Sequence, residues 1–287
     1  MGGTYIYVSG INNRGQVVGN GTTNGVTGMH AFVYSAGSLV DLGTLGGTNS
    51  YGYGINDNGQ VVGAAYTSSG EEDAFLYSSG MMNDLGTLGG AQSTGYGINN
   101  VGEVVGGASI SGNIEHAFLY RAGTMADLGT LGGFESRAYG INNTGQVVGF
   151  GETFGIGEHA FLYSGGTMTD LNDVIDTNSG WNLEIATAIN DGGQIIGVGT
   201  HPAGLLRAFL LTPLPTLHIS LTSSNSVQIQ FTAQANTGYL IEYRDSLSGG
   251  TWQGPVVLDP IPLLHPVVIT DPLPASQPRR FYRVSAS

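Results

Sequence analysis

Up to Pro213 the chain is written in short runs of alternating apolar and polar residues, each closed by Gly, Asn or Asp. Alternation with a period of two marks a strand with one buried face. The clearest set lies between Arg137 and Leu171, RAYGINNTGQVVGFGETFGIGEHAFLYSGGTMTDL. There Ala138–Asn142 leads into Asn143-Thr144-Gly145, where Asn and Gly supply the positive φ angles of a tight reversal, and Gln146–Phe150 follows. After a variable Gly-rich loop, His159–Ser164 passes through Gly165-Gly166, a hairpin signal, into Thr167–Leu171. The pattern predicts two successive hairpins, a four-strand meander. No segment carries a helical period, and Gly is poor inside helices.

The meander recurs. Its Ile-Asn pair falls at Ile11-Asn12, Ile55-Asn56, Ile98-Asn99, Ile141-Asn142 and Ile189-Asn190, at spacings of 44, 43, 43 and 48 residues. An Ala-Phe pair keeps step at Phe32, Phe75, Phe118, Phe161 and Phe209, preceded by His30, Asp73, His116, His159 and Arg207. A four-strand unit at this period is the blade of a β-propeller; β-solenoid coils are shorter, and an α-solenoid needs helices. Residues 1–213 are therefore expected to form five blades. The fifth stops at Arg207–Leu211 and meets Thr212-Pro213-Leu214-Pro215, where proline breaks the ladder, and no Asp-Leu-Gly-Thr follows. That blade is expected to lack its fourth strand. At the other end Met1-Gly2-Gly3 stands where Leu-Gly-Gly stands at later junctions. The missing strand is thus expected either upstream in a longer natural chain or from another source. The fourth junction carries an insertion, Asn172 to Glu184, with the single Trp of the repeats, Trp181. It reads as the adjustment of a terminal repeat.

From residue 214 the texture changes. LHISL, SVQIQFTA, GYLIEYRDSL, PVVLD, HPVVITD and RRFYRVSAS alternate between Gly, Pro and Asn breaks, which predicts a small β-sandwich over 214–287. The whole chain is expected to be all-β.

Composition sharpens this picture in three ways. The 49 glycines fall periodically at turns, which favours repeats over low complexity. There is no Cys, so neither a disulfide framework nor a thiolate metal site is available. There is no Lys either, and the net charge of −13 sits wholly in the repeats, where Arg14, Arg121, Arg137 and Arg207 face seventeen acids. Such a surface repels nucleic acid and anionic membranes and keeps the protein soluble. No apolar run is long enough for a membrane span, and the start does not read as a signal peptide.

Candidate chemistry is sparse. Asp41, Asp84, Asp127 and Asp170 precede Leu in each of four units and are expected to accept backbone N–H bonds from the next turn; the repeated Asn12, Asn56, Asn99, Asn142 and Asn190 are expected to be structural too. His30, His116 and His159 occupy one place per blade, so they diverge too far to share a metal and are expected to tether the chain. The Asn/Asp-Gly turns lack the alternating acids of a calcium loop, and the glycines at 149–155 and 197–202 precede no helix, as phosphate binding requires. No catalytic motif, metal site or cofactor site is expected. Acids that break the repeat, such as Glu103, Glu115 and Glu184, leave a carbohydrate-active funnel as an alternative, against which near-equivalent blades argue. Recognition is expected in the loops between second and third strands (21–29, 66–72, 109–115, 152–158 and 200–206), with Tyr66, Phe154 and His201, together with Trp181, as ligand contacts.

The signature GINNxGQVVG…HAFLY…DLGTLGG, carried in five copies by residues 4–212, resembles the HAF-repeat family of probable extracellular repeats of bacteria. The segment from Gly238 to Trp252, with Arg280–Val284, resembles the fibronectin type III-like modules that end many secreted bacterial proteins. The resemblance implies an extracellular or cell-surface location and no particular activity. The expected role is a non-catalytic interaction or adhesion module, with protein or glycan partners at the cell surface. A multivalent glycan-binding propeller is an alternative. So is self-association through the unfinished fifth blade, whose open edge could accept a strand.

Overall fold

The computed structural model describes residues 5–22, 28–112, 114–155, 157–213, 217–222, 226–233, 238–245, 251–260, 265–272 and 280–286. It divides into two units, Met1–Thr212 and Pro213–Ser287.

The first unit is a succession of antiparallel meanders. The first sheet holds β1 (Ile6–Ile11), β2 (Val17–Thr22), β3 (Met29–Ser35) and β4 (Ser38–Asp41) in that order; the second holds β5 (Gly46–Ile55), β6 (Val61–Thr67), β7 (Glu72–Ser78) and β8 (Met81–Asp84). The third is built from β9 (Ser93–Ile98), β10 (Val104–Ser109), β11 (Glu115–Arg121) and β12 (Thr124–Asp127), the fourth from β13 (Gly132–Ile141), β14 (Val147–Thr153), β15 (Gly157–Ser164) and β16 (Thr167–Asp170). The fifth has three strands, β17 (Asn182–Ile189), β18 (Ile195–His201) and β19 (Leu205–Leu211). The leading strand of the fourth sheet starts at Gly132 rather than at Ala138, because the Leu-Gly-Gly segment runs on to pair with Thr153.

The Asn of each Ile-Asn pair builds the first turn. Asn56 is buried, and its Oδ1 accepts the N–H groups of Asn58 and Gln60, while its amide donates to Gln60 Oε1 and to the carbonyl of Asn99 in the next sheet. One residue thus closes its own hairpin and stitches two sheets together. The turn ends at Gly59, whose φ of 78° excludes most side chains. A second glycine is needed for closeness: a Cβ on Gly63 would stand 1.8 Å from the carbonyl oxygen of Tyr51.

Each core is shared between neighbours. Val18, Ala31 and Leu42 of the first sheet pack with Val61, Ala65 and Phe75 of the second, and the same pairing recurs down the series. The second Val of the Val-Val pair faces the following sheet, so Val18, Val62, Val105 and Val148 are all fully buried. At the fifth sheet the equivalent Ile196 is 50% exposed. At the first sheet Ile6 and Val8 are exposed likewise. Among the described residues no hydrogen bond joins the first sheet to the fifth. The insertion before β17 forms two 3-10 turns, Leu171–Asp173 and Thr177–Ser179, capped by Asp170 and Asp176, and brings Ile175 and Trp181 onto the core below.

The second unit has two three-stranded sheets, β20 (His218–Leu221) with β21 (Ser226–Ala233) and β24 (His265–Pro272), and β23 (Gln253–Leu258) with β22 (Tyr239–Arg244) and β25 (Phe281–Ala286). Both contribute to one apolar core around Ile229, Phe231, Tyr239 and Ile241. The guanidinium groups of Arg244 and Arg283 both lie over the ring of Trp252, 4.6 and 4.4 Å from its centre.

Candidate functional site

The repeated polar residues are consumed by the scaffold. Asp41, Asp84 and Asp127 each accept the N–H of the glycine two residues on, and Asp170 accepts that of Asn172. The imidazoles of His30, His116 and His159 meet Asp41, Asp127 and Asp170 at 2.9, 2.8 and 2.5 Å, which joins the third strand to the fourth within one sheet. Among the described residues no hydroxyl is bonded to these imidazoles. Among the same residues no three His, Cys, Asp or Glu side chains gather as a metal-binding group.

The five Ile-Asn turns converge on one polar pocket of about 310 Å³. Its rim is a directional ladder. The amides of Asn12, Asn56, Asn99 and Asn142 donate to the carbonyls of Asn56, Asn99, Asn142 and Asn190. Outside it, the backbone N–H groups of Asn13, Asp57, Asn100 and Asn143 donate to Asp57, Asn100, Asn143 and Asp191. Those bonds, first the backbone N–H of Asn13, hold the Asp57 carboxyl below its ordinary range. The ladder has four links. The Asn190 side chain bonds, among the described residues, only to Gln194 in its own turn.

Two residues before the Ile of three Ile-Asn pairs, Tyr53, Tyr96 and Tyr139 form an arc with ring centres 5.7 and 5.4 Å apart. Burial, then the charge of Glu72, pushes the Tyr53 phenol up to about 12. Beside the arc, Arg137 of the fourth sheet pairs with Glu115 of the third and lies 5.8 Å from the ring centre of Phe150. Glu115 occupies the space that a Cβ on Gly107 would fill. Charge and glycine are therefore a coupled departure from the repeat.

The four ligand candidates do not form one site. Trp181 and His201 meet edge to face with centres 5.0 Å apart. Tyr66 sits in the second sheet beside Glu72, and Phe154 stands 91% exposed in the fourth. Residues 23–27, 113 and 156 of the recognition loops lie outside the described residues.

Next to Trp181 lies a second cavity, of about 370 Å³, lined by Ile175, Trp181 and Leu183 on one side and Ala208 to Leu211 on the other. It follows β19, which pairs only with β18 among the described residues. Leu205, Leu206 and Leu210 are exposed on the same strand. A signal was present in the sequence: LLRAFLL puts apolar residues at places where other copies read GEHAFLY or GMHAFVY. Arg207, which breaks the histidine series, is a cation on this strand.

No helix of the described residues is long and apolar enough to cross a membrane. No known family and no curated protein matches the chain. Among solved structures it is similar to TolB from Acinetobacter baumannii, at 11% identity and a TM-score of 0.42, covering 80% of this chain and 52% of TolB. It is similar to a puromycin-hydrolyzing peptidase of Mycobacterium tuberculosis, at 10% identity and a TM-score of 0.45, covering 79% and 43%. A triple arginine-to-alanine mutant of AofleA from Arthrobotrys oligospora aligns at 11% identity and a TM-score of 0.33, over 94% and 76%. The chain spans about half the length of TolB and less than half of the peptidase.

Proposed function

We propose that the chain is a non-catalytic assembly scaffold of the bacterial cell surface, made of five propeller blades in an open series and a fibronectin type III-like module. The HAF-type signature motivates the location. The observation that carries the role is the contrast between equivalent positions: Val18, Val62, Val105 and Val148 are fully buried by the next blade, whereas Ile196 is 50% exposed. An apolar face of this kind, repeated inside the molecule and uncovered at its end, is an association surface. The His–Asp pairs and Asn ladder serve the fold, so polar residues suited to chemistry are already committed.

The test incubates the full chain with a polysaccharide panel and reads reducing ends. In parallel, a bacterial cell-envelope fraction is passed over immobilised chain. The expected result is retention of a specific envelope protein without new reducing ends. Turnover that scales with protein concentration would sink the non-catalytic reading.

A further inference from the structure

In the first four blades the edge of the third strand is covered by a fourth strand of one pattern. Its sequences are Ser-Leu-Val-Asp-Leu, Met-Met-Asn-Asp-Leu, Thr-Met-Ala-Asp-Leu and Thr-Met-Thr-Asp-Leu, from Ser38, Met81, Thr124 and Thr167 onward. The register is constant. Asp41, Asp84, Asp127 and Asp170 stand opposite Phe32, Phe75, Phe118 and Phe161; Leu39, Met82, Met125 and Met168 stand opposite Tyr34, Tyr77, Tyr120 and Tyr163. Met82, Met125 and Met168 pack into the core shared with the preceding blade. The Leu after Asp donates its N–H to Ala31, Ala74 and Ala117 in the first three blades.

The fifth blade carries each counterpart of this seat. Phe209 and Leu211 take the places opposite Asp and Met, and Ala208 takes the place of the carbonyl acceptor. The cavity of about 370 Å³ lies where the Met would pack, walled by Ile175 and Trp181 of the insertion. Where three other blades offer a histidine to the aspartate, this one offers Arg207, exposed, whose one side-chain hydrogen bond among the described residues goes to the neighbouring carbonyl of Leu206. Arg is the stronger partner for a carboxylate.

We propose that the β19 edge is a strand-acceptor site for an extended segment of another polypeptide carrying Met-x-Asp-Leu. The segment adds antiparallel to β19, its Met fills the cavity beside Trp181, its Asp pairs with Arg207, and its Leu N–H bonds to the Ala208 carbonyl. Backbone bonds supply affinity, and the cavity and the cation supply selection, as in other strand-addition complexes. This deepens the scaffold reading above and rests on it.

The probe is a fluorescein-labelled peptide with the sequence of residues 124–130, Thr-Met-Ala-Asp-Leu-Gly-Thr, titrated with the full chain by anisotropy. Saturable binding is expected. Replacing the peptide Met by Ser, or methylating the Leu nitrogen, should each weaken it by about tenfold or more. Arg207→Glu should weaken it similarly, and a peptide with Lys in place of Asp should recover binding to that variant, which mere loss of folding would not allow. No saturable binding up to about 1 mM, or binding indifferent to Arg207→Glu and to the Met replacement, overturns the proposal. That includes an edge already filled by the chain itself or by a second copy. Failure here leaves the scaffold reading to its own test; turnover in the polysaccharide panel would remove that reading while the peptide titration stood.

Discussion

Asp73 is the one place where the His–Asp device is replaced by two acids, and its removal makes a quantitative test. His30, His116 and His159 meet their aspartates at 2.9, 2.8 and 2.5 Å, whereas Asp73 faces Asp84 from the same strand position. It is only 9% exposed, and its Oδ1 is buried without a hydrogen-bond partner. Burial first, then Asp84 and Glu71, pushes its carboxyl up to about 6 from an ordinary 3.8. A carboxyl raised on folding stabilises the protonated form. Its contribution is therefore present below the ordinary value and lost as pH rises through about 6. A shift near two units, at about 1.4 kcal/mol each, sets a ceiling of about 3 kcal/mol. Solvent at the sheet rim screens Asp84 and Glu71, which brings the expected effect to about 1 kcal/mol. Asp73→Asn removes the titration with little change of shape. Urea unfolding of both chains, followed by circular dichroism between pH 4 and 8, should show the variant gaining about 1 kcal/mol relative to the parent across that range. A difference that does not vary with pH, or that favours the parent as pH rises, would refute the account of Asp73.

Three further outcomes follow from the same geometry. Asn56→Ala strips three bonds from a buried turn and one across the sheet junction, and should cost about 2–4 kcal/mol; Asn190→Ala, whose exposed side chain bonds within its own turn, should cost about 1 kcal/mol. Equal losses in denaturant titrations would contradict the ladder. Gly63→Ala drives a Cβ to 1.8 Å from the Tyr51 carbonyl, so soluble, folded protein should not be recovered, while Gly37→Asn, with nothing within 4 Å, should keep its melting temperature within a few degrees. Val148→Glu buries an unpaired charge and should abolish the unfolding transition, whereas Ile196→Glu at the equivalent position should melt close to the parent; a matching collapse of Ile196→Glu would show that face to be covered.

Much of the fold was legible in the chain because its information is local. Alternation set the strands, Asn-x-Gly set the turns, and the recurrence of Ile-Asn set the period; each depends on a few neighbouring residues and their φ/ψ preferences. The repeated Asp and His positions were legible as structural for the same reason, since a residue needed in every unit serves what every unit shares. Three things depended on tertiary structure. The Glu115–Arg137 pair joins residues in different sheets, across space left free by Gly107, and no local pattern connects them. Trp181 and His201 lie 20 residues apart in the sequence, and only the path of the insertion over the fifth sheet brings their rings together and leaves Tyr66 and Phe154 apart. The exposure of Ile196 is the sharpest case. As a letter it is equivalent to Val148, and only the packing of the fifth sheet against Val148, with no such sheet over Ile196 among the described residues, makes one a core residue and the other a surface. Burial belongs to the pair of faces that meet, and a sequence states only one of them at a time.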